Sequence, residues 1–216
     1  MSIGIDVLTF TGHKGLYGPM GIGGMVVAEN VNIRATRFGG TGVDSISAFQ
    51  PESYPHRLEA GTVSIPGIAG LNAAQRWFAE TGASVSADAL DKKKEHALCC
   101  RAARHHIHKA ELRHADKIWE FLQSHERIRP MSQRLKEIEY VATLSFTVDG
   151  MAATQMADML DADHHICLRA GLHCAPAVHK AFGTAEDGGA VRVSPGYFTE
   201  DADVDHLLES IDQVLK

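Results

Sequence analysis

The sequence predicts an α/β fold, because apolar runs of strand length alternate with stretches of helical periodicity along its 216 residues. With 44% hydrophobic and 22% charged residues, the composition is that of a globular protein able to bury a sizeable core. A net charge of −6 argues against nucleic acid as the main partner, and no apolar run has the length of a bilayer span. The four cysteines do not suggest a disulfide framework, so we expect a reduced, cytoplasmic compartment and no membrane partner.

The N-terminal third predicts two short strands and one helix. The first ten residues and the run Met25 to Ala28 are apolar, have no helix cap, and predict buried strands. Six glycines between Gly12 and Gly24 make the connection a loop, and three prolines keep the chain irregular to about residue 67. Helical spacing begins at Ile68, and we expect Thr81-Gly82 to interrupt it.

The remaining residues predict three helices and three strands. In order these are a polar helix from about Asp88 to Gln123, a strand from Glu139 to Val148, a helix from Met151 to Leu160, strands from Ile166 to Ala170 and from Ala190 to Val193, and a helix from Asp203 to Leu215. Asp149-Gly150 predicts a turn. Helical spacing puts Ile107, Ala115, Ile118 and Leu122 on one face of the long helix.

Lys14 is the first candidate for chemistry. It lies beside Gly15 in the loop that follows the first strand, where we expect it to be partly desolvated. Such a lysine can act as a Schiff-base nucleophile. A phosphate-binding lysine, or one that is merely exposed in a loop, fits the same pattern.

Cys174 is the second candidate, in the loop Gly171-Leu-His-Cys-Ala-Pro after a predicted strand. A thiol exposed on a loop can attack an electrophile or accept a sulfur atom. A half-buried structural cysteine is the alternative. We expect Cys167, inside an apolar run, to lie in the core, and Cys99 and Cys100 to point apart on a helix.

Arg192 is the third candidate, because it interrupts an apolar strand and needs an anionic partner. A substrate carboxylate held by both arms of the guanidinium is one such partner, and a structural salt bridge is the other. The histidines of the long helix include His96, one turn from Cys100, but no ligand set is complete, so we expect no metal site.

Three blocks of sequence, the last of them in two parts, together resemble a known family. The segment Asp6-Val-Leu-Thr-Phe-Thr-Gly-His-Lys-Gly resembles the pyridoxal-phosphate (PLP) lysine segment of class V aminotransferases, and Arg57-Leu-Glu-Ala-Gly-Thr is similar to the next block of that family. Arg169-Ala-Gly-Leu-His-Cys-Ala-Pro and Gly189-Ala-Val-Arg-Val-Ser-Pro-Gly-Tyr-Phe are similar to the persulfide-cysteine loop and carboxylate-arginine strand of its cysteine desulfurase branch. One departure follows Phe198, where the family has Asn-Thr and this chain has Thr199-Glu200.

The resemblance implies a role for each matching residue. Lys14 would carry the internal aldimine of PLP and shuttle the substrate α-proton, and Thr11 and His13 would contact the cofactor phosphate. Gly61 and Thr62 would reach the phosphate in the partner subunit of a homodimer. Cys174 would take sulfur from L-cysteine as a persulfide, leaving L-alanine, and Arg192 would hold the substrate carboxylate. A sulfur-acceptor protein would be a further partner.

The resemblance also implies the architecture. The chain would be the C-terminal part of a PLP-dependent transferase of fold type I, the aspartate aminotransferase-like fold. Residues 1–80 would end the large cofactor-binding domain and residues 81–216 would form the small α+β domain. The N-terminal half, which would supply the acid paired with the pyridine nitrogen, is not in this sequence. The alternatives are another class V lyase or aminotransferase that uses Lys14 alone, and a non-catalytic remnant that associates with other proteins.

Overall fold

A computed structural model describes residues 4–40, 42, 44, 46–85, 96–131 and 140–216. These residues form two compact units, Met1–Ala103 and Arg104–Lys216. The division falls inside a long helix rather than near residue 80. The boundary predicted after residue 80 separates the two domains that the resemblance implies, which is a different kind of division. That boundary stays a prediction.

The first unit contains an antiparallel hairpin, β1 (Val7–Thr11) and β2 (Gly23–Val27). Both strands lie where the sequence predicts them, but the expectation that they are buried is wrong for these residues. Every residue of β1 is exposed, and the described residues add no third strand to the hairpin. A short 3-10 turn (His56–Leu58) and helix α1 (Ile65–Val85) follow.

Helix α1 continues through Thr81-Gly82, so the predicted interruption is wrong. Glycine there allows a close approach to helix α2 (His96–Ser124). A Cβ on Gly82 would lie 1.8 Å from the Cys99 carbonyl oxygen, closer than any two such atoms can come. Tertiary contact therefore outweighs the weak helix propensity of glycine, which costs about 1 kcal/mol relative to alanine.

The second unit is built on a four-stranded antiparallel sheet in the order β3-β4-β6-β5. The strands are β3 (Ile128–Pro130), β4 (Leu144–Val148), β5 (Arg169–Gly171) and β6 (Ala190–Val193). Burial along β4 alternates, with Leu144, Phe146 and Val148 inward, which is the pattern of a sheet covered on one face. The second unit is thus α+β, the class that the resemblance implies for the small domain.

Three helical segments cover the inner face of this sheet: the part of α2 after residue 104, α3 (Ala153–His164) and α5 (Asp201–Val214). The predicted α2 face is confirmed, since Ile107, Ala115, Ile118 and Leu122 are all at most 5% exposed. The predicted inward face of α5 also holds, because Val204, Leu207, Ile211 and Leu215 join the same core and Leu208 packs against it. Fully burying a large apolar side chain contributes about 1.5–3 kcal/mol, so this core accounts for much of the stability of the unit.

Two elements were not predicted, and the ends of others differ from the prediction. Strand β3 and helix α4 (Pro176–Ala181) were missed because they are too short to leave a periodic signal. Helix α3 begins only after the Asp149-Gly150 turn, and it ends where His165 adopts a left-handed conformation. The predicted starts of the long helix near Asp88 and of the strand at Glu139 lie outside the described residues. Over the part of the chain that the structure describes, no helix is both long and apolar enough to cross a membrane.

Candidate functional site

Lys14 lies in the loop between β1 and β2, and its side chain is exposed. Backbone hydrogen bonds fold the loop back on itself: the Tyr17 N–H donates to the Lys14 carbonyl at 2.9 Å, and the Gly18 N–H donates to Gly12 at 2.8 Å. The expectation that Lys14 is partly desolvated is therefore wrong for the described residues, since none of those in its own unit buries the side chain. The loop presents the amine outward from a fixed turn.

Thr11 and His13 flank the same turn. The Thr11 hydroxyl oxygen lies 2.9 Å from His13 Nδ1, and both side chains are exposed. A hydroxyl and an imidazole side by side, next to an ammonium, form a donor set of the kind that binds a phosphate ester. The structure thus brings together three of the predicted site residues.

Gly61 and Thr62 follow the 3-10 turn in the same unit. Gly61 has a φ of +91°, and its N–H donates to the Gly40 carbonyl oxygen at 2.7 Å. Gln50 steadies the preceding turn by donating its side-chain amide to the His56 and Glu59 carbonyls, at 2.7 and 3.1 Å. The Thr62 side chain is left exposed, available to a group outside this segment.

Cys174 lies on a tight turn between β5 and α4, and its side chain is exposed. The Ala175 N–H donates to the Leu172 carbonyl oxygen at 2.8 Å and closes the turn. His173 and Cys174 both have positive φ, 53° and 58°, a conformation that non-glycine residues seldom adopt. Two such residues in succession at a candidate site fit a backbone held in place for function.

The side chains of Arg169 and His179 contact this turn, and the sequence assigned no role to Arg169. Arg169 Nη2 donates to Cys174 Sγ at 3.3 Å, and the Arg169 carbonyl oxygen lies 3.1 Å from His173 Nε2, which therefore carries the hydrogen. Burial, with smaller contributions from the nearby cations, lowers the pKa of His173 below its ordinary value. His179 is buried, and its Nδ1 lies 2.8 Å from the Thr184 hydroxyl, which ties the last turn of α4 to the segment that follows it.

Strand alternation could have identified Arg169. Ile166, Leu168 and Ala170 pack against the core, so Cys167 and Arg169 face the other way. Cys167 is accordingly exposed, and its predicted burial is wrong. Its thiol donates to Asp161 at 3.3 Å, and that carboxylate raises the pKa of Cys167.

Arg192 lies on β6, directly opposite Arg169 on β5 and Ser145 on β4. Its Nε is buried without a hydrogen-bond partner, and no carboxylate of the described residues forms an ion pair with it. Like charges directly opposite on neighbouring strands are destabilising, so this pair favours an anion between or beside them. Both arginines line a cavity of about 380 Å³ that also includes Thr199.

The structure thus gathers Cys174, Arg169 and Arg192 at one end of the second sheet, and Lys14, Thr11 and His13 on one loop of the first unit. Cys99 is buried and Cys100 lies 3.4 Å from His96 Nε2, so the two cysteines diverge as predicted. Within the described ranges, no group of three or more His, Cys, Asp or Glu side chains is arranged to hold a metal ion.

A comparison with models of protein families identifies the same family as the sequence motifs do. The model of the family Aminotransferase class-V matches residues 1–102 and 97–207. The chain belongs to the class-V aminotransferase family. Within that family it is 31% identical over 220 residues to a probable cysteine desulfurase of Pseudomonas putida, a match that covers 99% of this chain and 47% of the relative. It is 29% identical over 219 residues to the cysteine desulfurase CsdA of Escherichia coli, covering 98% and 46%.

Solved structures of cysteine desulfurases confirm the predicted fold class. The crystal structure of Escherichia coli CsdA in its S-sulfonic acid form matches with a TM-score of 0.73 at 27% identity, over 98% of this chain and 46% of that one. The apo cysteine desulfurase of Thermococcus onnurineus NA1 matches with a TM-score of 0.77 at 28% identity, over 97% and 46%. The chain spans about half the length of the curated relatives it matches.

Proposed function

We propose that this chain carries the lysine, cysteine and arginine of a PLP-dependent cysteine desulfurase that converts L-cysteine to L-alanine. The observation that carries the proposal is the arginine pair on β5 and β6. Arg192 has a buried Nε with no acceptor among the described residues, and Arg169, opposite it, donates to Cys174 Sγ. An anion-binding group on β6 and a thiol on the turn after the neighbouring strand β5 are therefore held close together, as a substrate that is both a carboxylate and a thiol requires. Relatives named as cysteine desulfurases support the same reaction.

The residues of the Lys14 loop fit a PLP site by the chemistry of their donors. Lys14 would hold the cofactor through its amine, and Thr11 and His13 would donate hydrogen bonds to its phosphate. Gly61 and Thr62 would reach the phosphate bound by a second subunit, so we propose a homodimer. When bound, PLP supplies an electron sink that stabilises negative charge next to the amino-acid α-carbon. The Lys14 amine, exposed at the turn, would then accept or return the α-proton.

Cys174 would take the sulfur. Its thiolate attacks the sulfur of L-cysteine, the new S–S bond forms as the substrate C–S bond breaks, and the bonding pair stays with the carbon that becomes the methyl group of alanine after protonation. The sulfur transferred ends as a persulfide on Cys174, so the atoms and electrons balance without an external oxidant. The exposed position of the thiol would let a sulfur-acceptor protein in the cytoplasm remove it.

Arg192 would hold the carboxylate of the amino acid. A guanidinium offers two parallel N–H donors to a carboxylate, which fixes orientation as well as charge. Arg169 lies beside it and also contacts Cys174, so it would keep the thiol on the side where the substrate sulfur arrives. The turn of His173 and Cys174 would hold the thiol at a fixed distance from both arginines.

The experiment uses a chimera in which this chain replaces the corresponding half of Escherichia coli CsdA, supplied with PLP and L-cysteine. We expect alanine formation, a persulfide on Cys174 by mass spectrometry, and a visible cofactor absorbance that Lys14→Ala removes. Cys174→Ala should abolish persulfide and alanine formation while leaving that absorbance intact, and Cys167→Ala, at another exposed cysteine, should change neither.

Other outcomes would contradict the proposal in different ways. Alanine formation by Cys174→Ala at the original rate would mean that Cys174 is idle and that the chain belongs to a lyase or aminotransferase acting through Lys14. A folded chimera without any cofactor absorbance would mean that these residues are not catalytic.

A further inference from the structure

Cys167 and Cys174 are both exposed, one before and one after strand β5 in the chain. Cys167 precedes Arg169 by two residues, and it lines the same cavity of about 380 Å³ as Arg169 and Arg192. Arg192 is the group that we propose to hold the substrate carboxylate. A substrate held there has a second thiol beside it, which the proposed chemistry does not use.

The two sulfur atoms make hydrogen bonds of opposite kinds. Arg169 Nη2 donates to Cys174 Sγ at 3.3 Å, so this sulfur is an acceptor next to a positive charge. Cys167 Sγ lies 3.3 Å from Asp161 Oδ1, and because a carboxylate can only accept, the thiol keeps its proton in this contact. A donor beside sulfur stabilises a thiolate, whereas an acceptor stabilises the thiol, and the thiolate is the nucleophile.

The end of helix α3 brings Asp161 and Cys167 together. His165 has a φ of 57°, and its N–H donates to the Asp161 carbonyl oxygen at 3.1 Å. The next N–H, that of Ile166, donates to the Leu160 carbonyl oxygen at 2.9 Å. These two bonds form a helix C-cap that turns the chain back over the last turn of the helix. Cys167 follows directly, so the backbone holds its side chain beside Asp161.

Helix stability does not explain an aspartate at position 161. Asp161 lies in the last turn of α3, where a negative charge is unfavourable beside the C-terminal end of the helix dipole. The ion pairs between the described residues do not include it, and its side chain is exposed rather than part of the core. Among those residues, the hydrogen bond from Cys167 is the contact that this carboxylate makes.

The other charged groups around Cys167 do not reverse its preference for the thiol. Arg169, Arg192 and Asp203 line the cavity from β5, β6 and α5. The two arginines by themselves would favour a thiolate. The pKa of Cys167 is nevertheless raised, first by the hydrogen bond to Asp161 and then by the charge of that carboxylate. The contact with Asp161 therefore outweighs the nearby cations.

We propose that Asp161 determines which cysteine reacts, by holding Cys167 as a protonated thiol and leaving Cys174 as the nucleophile of the site. Without this carboxylate, a Cys167 thiolate would attack the sulfur of L-cysteine as Cys174 does. The new S–S bond would form as the substrate C–S bond breaks, with the bonding pair staying on carbon. This consequence for sulfur transfer rests on the proposed function, whereas the protonation of Cys167 does not.

The first test needs neither PLP nor substrate. The full chain is treated with limiting iodoacetamide from about pH 6 to about pH 10, across the ordinary titration range of a thiol, and mass spectrometry follows each cysteine. At neutral pH we expect Asp161→Asn to speed the alkylation of Cys167 by about two- to fivefold, the effect of one exposed charge, and to leave Cys174 unchanged. The difference should narrow towards the alkaline end, where the Cys167 thiol ionises in both proteins.

Two further variants separate the contact from the charge. Asp161→Glu keeps the carboxylate, and its Cys167 should react like that of the parent chain. Asp163→Asn removes an exposed aspartate two residues further along α3 and should leave the alkylation of Cys167 unchanged. Because both aspartates are exposed, the circular dichroism of all three variants should match the parent.

The second test measures persulfide on each cysteine in the chimera with Escherichia coli CsdA, supplied with PLP and L-cysteine. We expect Asp161→Asn to raise the share of persulfide on Cys167 by about twofold or more. Unchanged alkylation of Cys167 in Asp161→Asn overturns the proposal, and so does faster alkylation with no rise in persulfide on Cys167. A chimera without persulfide on either cysteine contradicts the proposed function instead, and the alkylation rates then decide the role of Asp161.

Discussion

Arg192 is flanked by the buried residues Val191 and Val193, and its guanidinium Nε has no acceptor among the described residues. Lysine at this position would keep the charge but lose the two parallel donors that grip a carboxylate. In the chimera with Escherichia coli CsdA, we expect Arg192→Lys to raise the KM for L-cysteine by about tenfold. A tenfold change corresponds to the binding free energy of about one lost hydrogen bond to a charged group. Steady-state kinetics measures this.

The matched control is Arg129→Lys, which alters an exposed arginine paired with Asp149 at 2.7 Å. It should leave both KM and the cofactor absorbance unchanged. An unaltered KM in Arg192→Lys would assign Arg192 to a purely structural role.

The lowered pKa of His173 predicts how the free energy of unfolding depends on pH. Burial lowers its pKa in the folded protein below the ordinary value of about 6.5. The unfolded chain therefore binds more protons as the pH falls through this range, and the free energy of unfolding decreases from about pH 6.5 down to the lower folded pKa. Above that window the neutral ring carries no such penalty.

We expect His173→Gln to lose less stability than the parent chain between pH 7 and pH 5, as measured by thermal melting. The C2–H resonance of His173 in a proton NMR titration should have a midpoint below the ordinary histidine value of about 6.5. A midpoint at or above that ordinary value would contradict the assignment.

The candidate site shows which residues can be read from sequence. Sequence alone identified Lys14, Cys174 and Arg192. Each is a reactive or charged residue whose presence is not explained by the packing of the loop or strand around it. The Arg169–Cys174 hydrogen bond could not be predicted, because it depends on two consecutive left-handed residues, and His173 and Cys174 are not residue types that signal that conformation. The position of Cys167 was readable from strand alternation, but its apolar neighbours favoured burial.

Among the elements, helices α1 and α2 meet at Gly82 without room for a side chain. Gly82→Ala would place a methyl group against the Cys99 carbonyl and force the helices apart. We expect a destabilisation of about 1–3 kcal/mol, despite the better helix propensity of alanine. Gly40→Ala is the control, since a Cβ there meets nothing within 4 Å. Urea denaturation of both variants measures the difference, and a more stable Gly82→Ala would contradict the packing described.

The start of α5 is held by an ionic contact whose strength depends on pH. Asp201 lies 2.8 Å from Arg113 Nη1 and 3.0 Å from Nε2 of the buried His114. The hydrogen bond from Arg113, more than that from His114, lowers the pKa of Asp201 below its ordinary value. Its contribution to stability is therefore present above that ordinary value, near 3.9, and is lost as the pH falls through the folded pKa.

We expect Asp201→Asn to lower the melting temperature at pH 7 and to match the parent near the acid limit, where Asp201 is protonated in both states. Asp163→Asn, at an exposed aspartate in α3, should melt like the parent at both pH values. An equal loss for Asp201→Asn at acid pH would mean that the side chain acts through packing rather than charge.

Elements with long periodic patterns, such as α2 and α5, were predictable because burial of one face repeats over several turns. The predicted interruption of α1 at Gly82 was wrong, since the sequence does not reveal that the backbone of α2 lies against this glycine. The composition of β1 and β2 alone predicted buried strands. Their exposure was predictable only from the resemblance, which implies that their neighbours in the sheet lie outside this sequence.

For the whole molecule, the open hairpin predicts self-association when this chain is alone in solution. Exposed strand edges and large apolar patches seldom persist in a monomer. We expect light scattering at micromolar concentration to give a dimer or larger species of the 23.4 kDa chain, with strong binding of a hydrophobic dye. Val26→Asp should reduce dye binding more than Val141→Asp does. A monodisperse monomer with one cooperative melt and little dye binding would show that the first unit closes its own core.

The tight turn that carries Cys174 limits how far its sulfur can travel. Strand β5 ends at Gly171 and helix α4 begins at Pro176, so the cysteine is two residues from a fixed anchor. Since an extended chain spans at most about 3.6 Å per residue, the Cys174 Cα stays within about 7 Å of the Pro176 Cα. A cysteine on so short a tether cannot swing across a surface as a long flexible arm does. Under the proposed chemistry, an acceptor protein must bring its own nucleophile to this turn. Only proteins whose surface fits against the turn can then receive the sulfur.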